Sequence, residues 1–279
     1  KGLGDELNKA IKYRLIADVP LGTYLSGGVD SSLITAITAL HKKEKVNTYT
    51  IGFEEINEFN YSDIIAKKYK TEHHEILMKK EDYMANWERL INLKDAPLGV
   101  PNEIPLAVMS SKLKEKITVV LSGEGADELM GGYLYFNSCP SQSEFHDECI
   151  RLLKNIHYFD VLRSDKSISG AGLEARVPFS DPELIQYVME MSPRFKMFGN
   201  KMEKYILRKA FEDILPEELI WRVKTAFSDG VSSEENPSYL LIQNFMEKYS
   251  YYNNDEYKYV KNDFGIYMKS YEKENNNEK

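Results

Sequence analysis

A glycine-rich segment near the start of the chain carries residues whose types and spacing could bind an anion. It is segment 25–32, with the sequence LSGGVDSS, and it lies where a predicted strand turns into a predicted helix. Its glycines let the backbone approach a ligand closely, and the helix start supplies unpaired N–H groups and a positive dipole end. Ser26, Ser31 and Ser32 add hydroxyl donors. The segment therefore predicts an anion-binding loop, although it lacks the lysine of the GxxxxGK[ST] type.

Asp30 is the residue of this loop that anion binding alone does not explain. A carboxylate beside a bound phosphate would repel it. A bound Mg²⁺ removes this conflict, because carboxylate and phosphate oxygens both bind this cation. A helix cap after a tight turn is the plainer alternative, and two glycines with an aspartate among three serines make it the weaker one. The pattern predicts phosphate and Mg²⁺ together.

A second glycine-rich segment, 121–133, has the sequence LSGEGADELMGGY and also follows an apolar run. Loops at the carboxyl ends of parallel strands converge on one crevice, so both segments are expected to face one nucleotide and its metal. Charges at a helix start would account for Asp127 and Glu128 individually, at about 0.3–1 kcal/mol each. They would not account for the Gly-Glu-Gly motif beside them.

A third segment, 221–230, has the sequence WRVKTAFSDG and contains one lysine, Lys224. A cation here could reach phosphate oxygens and stabilise a departing pyrophosphate. Composition alone favours the ordinary alternative, a solvated surface lysine.

The elements that must position these segments follow from the alternation of sequence patterns. β-branched or apolar runs predict four strands, at 23–25, 46–53, 74–77 and 117–121. Helical periodicity lies between and after them, at 33–40, 62–69 and 107–116. Alternating strands and helices predict an α/β fold with a parallel, doubly wound sheet.

The second half of the chain is predicted to be a mainly helical layer on this sheet. Helical patterns occupy 145–164, 182–191, 203–215 and 239–249. We therefore expect one domain over 1–248. The remainder, 249–279, is rich in tyrosine, asparagine, lysine and glutamate, and is expected to be partly helical or disordered.

Composition excludes several classes of protein. The 279 residues are 42% hydrophobic and 29% charged, which is typical of a globular chain. The net charge of −8 argues against a nucleic-acid partner, and no apolar run approaches the roughly 20 residues of a membrane span. The chain has only two cysteines, Cys139 and Cys149, which suits a reducing compartment and predicts a cytoplasmic location.

Several motifs together resemble those of one family. SGGVDS at 26–31 is similar to the pyrophosphate loop of the N-type ATP pyrophosphatases, and SGEGADEL at 122–129 narrows the resemblance to the asparagine synthetase family, which includes the β-lactam synthetases. Segments 173–181, 201–208 and 222–230 resemble further motifs of that family. The resemblance covers residues 3–248 and implies an adenine nucleotide α-hydrolase-like fold.

The resemblance also implies roles for individual residues. Those that would hold ATP are Leu25, Ser26, Gly27, Gly28, Asp30, Ser31, Ser32, Ile51, Gly52, Ser122 and Gly123. Asp30 and Asp127 would bind Mg²⁺. Glu124 would assist formation of an acyl-adenylate, and Lys224 would stabilise charge on the pyrophosphate.

The implied reaction is amide formation through acyl-AMP, with aspartate and ammonia giving asparagine, AMP and pyrophosphate. Asp160 and Arg163 match family positions on the acceptor side. Segment 98–105 departs from the family, because Pro101-Asn102-Glu103 stands where typical members carry Arg-Ala-Ser. A bidentate arginine would suit an α-carboxylate. A different acceptor, such as a sugar acid, a peptide or a β-lactam precursor, is therefore the alternative.

Two functions from other classes have less support in the sequence than amide formation. A non-catalytic nucleotide-binding subunit is disfavoured by the intact acidic residues and Lys224, and a tRNA-modifying enzyme is disfavoured by the negative net charge.

The expected partners follow from the family. Glutamine-dependent members carry an N-terminal glutaminase domain with a cysteine nucleophile. This chain begins with Lys1, so we expect that domain to be missing here and to act in cis or in trans. The chain alone is expected to use ammonia but not glutamine. A homodimer is also among the expected assemblies.

Overall fold

A five-stranded parallel sheet forms the centre of the molecule. The computed structural model describes residues 2–53, 57–94, 102–196 and 202–223, together with short stretches at 259–262 and 265–268. The strands of the sheet are β1 (Leu21–Tyr24), β2 (Asn47–Gly52), β3 (Glu72–Leu77), β4 (Val119–Leu121) and β5 (Glu174–Arg176). Their order is β3-β2-β1-β4-β5, and every neighbouring pair is parallel. The predicted parallel, doubly wound α/β sheet is confirmed.

Helices cover both faces of this sheet. In chain order they are α1 (Gly2–Tyr13), α2 (Val29–His41), α3 (Phe59–Tyr69), α4 (Lys80–Lys94), α5 (Glu103–Leu113), α6 (Ala126–Met130), α7 (Gln142–Asn155), α8 (Asp160–Ser169), α9 (Pro182–Glu190), α10 (Tyr205–Ala210) and α11 (Glu217–Ile220). Helices α1, α2 and α3 pack on one face, and α4, α5 and α8 pack on the other. Among the helices of the described residues, none combines the length and apolarity that crossing a membrane requires.

Helices cover both faces of the sheet, which explains why the central strands are runs of mostly apolar residues. In β4, Val119 and Leu121 pack in the core beneath α1–α3, whereas Val120 packs in the core beneath α4, α5 and α8. A strand buried on both faces is typically apolar along most of its length. One polar contact joins this second core: the hydroxyl of Tyr24 on β1 lies 2.8 Å from Oγ of Ser110 on α5.

The structure differs from the sequence-based predictions in several places, and helices α1 and α4 are among the elements that were not predicted. The single helix predicted over 145–164 is two helices, α7 and α8, separated by a 3₁₀ turn at Ile156–Tyr158. The helix predicted over 203–215 is helical only in α10. Strand β5 was missed because its sequence, Glu-Ala-Arg, is polar, as edge strands often are.

The chain beyond residue 223 is described only in part. Strands β6 (Tyr259–Asn262) and β7 (Gly265–Met268) pair antiparallel with each other, so the described part of the predicted tail is strand. The helix predicted over 239–249 lies outside the described residues.

Two leucines of α2 test how the core supports the first glycine-rich loop. Leu33 is fully buried, whereas the side chain of Leu40 is 63% exposed. We expect Leu33→Ala to lower the free energy of unfolding by about 2–5 kcal/mol, because it removes core contacts and leaves a cavity. Leu40→Ala should change that free energy by no more than about 0.5 kcal/mol. Urea unfolding measures both, and equal losses would contradict the assigned packing of α2.

Candidate active site

The two glycine-rich loops meet at the carboxyl edge of the sheet, because β1 and β4 are parallel neighbours. They are in close contact at Gly123, where a Cβ atom would lie 3.1 Å from Cβ of Asp30. The second loop is held on its other side by β5, since the Ser122 N–H donates to the carbonyl of Arg176 at 2.9 Å. The structure therefore brings both predicted loops into one crevice.

The first loop packs against α3 through a position that only glycine can occupy. Gly27 has φ of 79°, and a Cβ atom there would lie 2.5 Å from Cβ of Tyr61. Within the loop, the Oγ atoms of Ser26 and Ser31 are 2.9 Å apart, and the Ser31 hydroxyl donates to the carbonyl of Gly28 at 3.2 Å. No side chain among the described residues caps the start of α2. The first-turn N–H groups are therefore suited to a bound anion.

Some residues predicted to hold a nucleotide point away from the crevice. The side chains of Leu25 and Ile51 are buried in the two cores, so only their main chains could contact a ligand. Gly52 ends β2 at the same carboxyl edge. Ser32 is fully buried, and its hydroxyl has no hydrogen-bond partner among the described residues.

Lys204 links the two loops, and sequence reasoning assigned no role to it. Its side chain is 1% exposed, and its Nζ lies 2.5 Å from Oδ2 of Asp30 and 2.6 Å from Oδ1 of Asp127. Burial opposes the charged form, but the two carboxylates outweigh burial and raise the pKa of Lys204 above its ordinary value. A protonated amine thus lies between the two predicted metal ligands. The only sequence signal was its place in segment 201–208, which resembles a family motif.

These two carboxylates fit a magnesium site. One cation already contacts both of them, and the buried Oδ1 of Asp30 has no hydrogen-bond partner among the described residues. Magnesium is typically bound by one or two carboxylates together with phosphate and water oxygens. Across the described ranges, no cluster of three or more histidine, cysteine or acidic side chains could hold a metal. A cation at this pair would therefore complete its coordination with oxygens of water or of the nucleotide.

The absence of a side chain at Gly132 leaves the space that the ion pair of Lys204 and Asp127 occupies. A Cβ atom at position 132 would lie 2.0 Å from Oδ1 of Asp127 and 2.1 Å from Cε of Lys204. Any side chain would push the ammonium and the carboxylate apart. The second pair of glycines in segment 121–133 is thereby explained: one of them makes space for a lysine that is distant in sequence.

A second charge cluster joins Glu124 to α8. The guanidinium of Arg163 donates from Nη2 to Oε2 of Glu124 at 2.7 Å, and its Nη1 lies 2.9 Å from Oδ1 of Asp160. Burial raises the pKa of Glu124, and the charge of Arg163 opposes that rise. Nη1 of Arg163 also lies 3.4 Å from Oδ1 of Asn102. The structure thus brings Glu124, Asp160 and Arg163 together.

A shared hydroxyl connects this cluster to Glu128. The hydroxyl of Tyr133 contacts Oε1 of Glu128 and lies 2.8 Å from Oδ2 of Asp160. A tyrosine carries one hydroxyl proton, so it cannot donate to both carboxylates, and one of the acids must carry a proton. Burial first, and then the neighbouring Asp160, raises the pKa of Glu128 to about 9. Glu128 is therefore a neutral acid at neutral pH.

The segment that precedes Lys224 is anchored near the first loop, although Lys224 itself lies outside the described residues, as do positions 98–101. Arg222 forms an ion pair with Glu58, and its guanidinium lies 3.6 Å from the ring centroid of Tyr61. The buried Arg208 donates to the carbonyls of Ile220 and Arg222, at 2.6 and 3.0 Å. Tyr61 therefore contacts both Gly27 and the segment leading to Lys224.

Comparison with known proteins adds independent information. A family model described as asparagine synthase matches residues 2–143 and 137–264. The asparagine synthetase [glutamine-hydrolyzing] of Rattus norvegicus is 38% identical over 251 residues, covering 86% of this chain and 45% of the rat protein. Asparagine synthetase [glutamine-hydrolyzing] 2 of Oryza sativa is also 38% identical, covering 82% of this chain and 42% of the rice protein. The chain thus spans less than half the length of these relatives.

A solved structure, an NH3-dependent NAD synthetase from Campylobacter jejuni, aligns with a TM-score of 0.34 and 16% identity over 77% of this chain and 96% of that one. A likeness at this level says nothing about the reaction that this chain catalyses.

The proton on Glu128 predicts a distinctive pH dependence. Its folded-state pKa of about 9 lies above the ordinary value of 4.5, so the stability due to the protonated form is present below the ordinary pKa and is lost as pH rises. Between pH 5 and 8.5 the wild type should lose free energy of unfolding relative to Glu128→Gln, by up to about 1.4 kcal/mol per pH unit. Chemical denaturation at several pH values measures this difference.

Glu75→Gln is the matched control, because Glu75 is an exposed residue on β3. It should show no such trend. A difference between wild type and Glu128→Gln that does not change with pH would contradict the assigned proton.

Proposed function

Because the chain belongs to the asparagine synthase family, we propose that it forms an amide from a carboxylic acid, ammonia and ATP through an acyl-adenylate. The proposed acceptor is aspartate and the proposed product is asparagine. The observation that carries this proposal is the meeting of the two loops, with Gly123 against Asp30. This contact brings a phosphate-type loop next to the partly buried acids Glu124 and Asp127.

The first loop would bind the phosphates of ATP. Its hydroxyls and the N–H groups at the start of α2 would donate to phosphate oxygens, and the dipole of that helix favours their negative charge. Asp30 and Asp127 would hold Mg²⁺. When bound, this cation would neutralise charge that develops on the phosphate oxygens. We assign to Lys224 the same kind of electrostatic role toward the departing pyrophosphate.

In the first step, an oxygen of the acceptor carboxylate attacks the α-phosphorus of ATP and pyrophosphate leaves. In the second step, ammonia attacks the acyl carbon and AMP leaves. Neither step needs a covalent bond to the enzyme, so the protein acts mainly by positioning and electrostatics. We assign to Glu124, whose carboxylate accepts from Arg163 at 2.7 Å, the role of assisting acyl-adenylate formation.

Segment 101–103 contains no arginine, but the fold brings Arg163 of α8 into contact with it. Arg163 contacts Asn102 of that segment, and a guanidinium suits a carboxylate ligand. The guanidinium already bonds Glu124 and Asp160, so the proposal of aspartate as the acceptor rests on the family. No contact among the described residues favours a sugar acid, a peptide or a β-lactam precursor over aspartate.

We propose that ammonia is supplied by a glutaminase domain, in cis or in trans. Neither cysteine of the 279 residues has the low pKa of a nucleophile. Burial raises the pKa of the Cys149 thiol to about 11 and also raises that of Cys139.

The two free thiols support a cytoplasmic location. A homodimer stays a prediction.

The proposed reaction predicts aspartate-dependent release of pyrophosphate. The wild-type chain with ATP, Mg²⁺, aspartate and ammonium should produce AMP, pyrophosphate and asparagine in equal amounts. Glu124→Gln should slow this release by about 10²-fold or more, which is typical for loss of a positioned catalytic group. Glu183→Gln, at a 62% exposed side chain on α9, is the control that should keep wild-type rates.

A panel of other carboxylates, including a sugar acid and a peptide, belongs in the same assay. Pyrophosphate release that requires one of these acceptors and ignores aspartate would overturn the assignment of aspartate. The absence of release with every acceptor would overturn amide formation by this chain.

The nitrogen source gives a separate prediction. With aspartate and Mg·ATP, ammonium should support asparagine formation by the 279-residue chain, whereas glutamine at the same concentration should not, because neither thiol is activated. Amino-acid analysis of the products measures both. Asparagine formed from glutamine alone would contradict this assignment.

A further inference from the structure

Lys204 occupies the position that a metal ion would need. Its Nζ contacts oxygens of Asp30 and Asp127 at 2.5 and 2.6 Å, so those two oxygens are at most about 5 Å apart. Magnesium binds oxygens at about 2.0–2.1 Å, so a small movement would let the same two oxygens share one Mg²⁺. A protonated amine has no lone pair to offer a metal. The ammonium and Mg²⁺ therefore cannot use this position together.

The charges of the cluster make an internal cation necessary when no metal is present. Asp30 and Asp127 belong to different loops, which touch at Gly123. Lys204 is 1% exposed, and the side chains of Asp30 and Asp127 are only 21% and 25% exposed. Two neighbouring carboxylates that are shielded from water repel each other strongly. With Lys204 the cluster has a charge of −1, and without it the charge would be −2.

We propose that Lys204 is the internal counter-ion of the magnesium site: its ammonium holds Asp30 and Asp127 together while the site contains no metal, and Mg²⁺ competes with it for these two carboxylates. Lys204 is thus a positioning residue that acts through the two aspartates. The inference rests on the proposed magnesium site but not on the identity of the acceptor. It explains why a lysine near residue 200 and a glycine at 132 fit together at this point.

The test measures the thermal unfolding midpoint of the full chain with and without MgCl₂, without nucleotide, at an ionic strength kept constant with KCl. The wild type should respond little, because its carboxylates are already neutralised in part. Lys204→Met should unfold at a lower temperature without Mg²⁺, and Mg²⁺ should restore at least about 3 °C, since ligands that bind the folded state stabilise it. A purely structural lysine would give a loss that Mg²⁺ does not restore.

Lys196 provides a matched control. It is the other fully buried lysine among the described residues, but its Nζ donates to the carbonyl of Leu129 at 3.0 Å and makes no ion pair within the described part of the chain. Lys196→Met should therefore show no response to Mg²⁺ beyond that of the wild type. A Mg²⁺ response in Lys204→Met that does not exceed the response in Lys196→Met would overturn the proposal.

The double variant Lys204→Met/Asp127→Asn covers the case in which the single variant does not fold. It returns the cluster to a charge of −1, so it should fold without Mg²⁺ and lose the Mg²⁺ response. Failure of this double variant to recover stability over Lys204→Met would overturn the role of charge.

Calorimetry of Mg·ATP binding to the wild type separates this inference from the proposed function. If the wild type does not bind Mg·ATP, the proposed function fails. If the wild type binds Mg·ATP but Lys204→Met gains no response to Mg²⁺, only the role of Lys204 fails.

Discussion

Repulsion between the acids of two neighbouring loops is the electrostatic constraint that organises this site. The parallel pairing of β1 with β4 makes the loops adjacent, and each loop contributes a carboxylate to a place with little water. Lys204, which follows Asp30 by 174 residues in sequence, supplies the opposing charge. The second half of the chain is therefore more than a cover for the sheet, because it brings a cation to the first half.

The acids of the crevice are stabilised in two different ways. Asp30 and Asp127 are paired with an ammonium, and Glu124 and Asp160 are paired with the guanidinium of Arg163. Glu128 instead keeps its proton, which removes its charge at neutral pH. Breaking a buried pair by removing one partner is costly, since the remaining charge has no compensation. The site therefore depends on a matched set of partners from α6, α8 and the start of α10.

The sheet and the loops were predictable from sequence because their signals are local. Apolar runs indicated strands that are buried on both faces, and the glycine-rich segments indicated turns at the carboxyl ends of these strands. Strand β5 was not predictable, because a polar edge strand of three residues has no such pattern. Neither was the role of Lys204, since a lysine in isolation reads as a surface residue and its partners are brought to it only by the fold. The same holds for Gly132, whose missing side chain matters only because Lys204 lies against it.

The hydroxyl of Tyr133, shared between Glu128 and Asp160, has a consequence for the charge of the whole molecule. The formal net charge of −8 counts every carboxylate as ionised. Because burial and Asp160 raise the pKa of Glu128 to about 9, the native chain does not carry at neutral pH the negative charge that this count assigns to Glu128. Its isoelectric point in the native state therefore lies slightly above the value calculated from composition, and electrophoretic mobility reports on the fold as well as on the sequence.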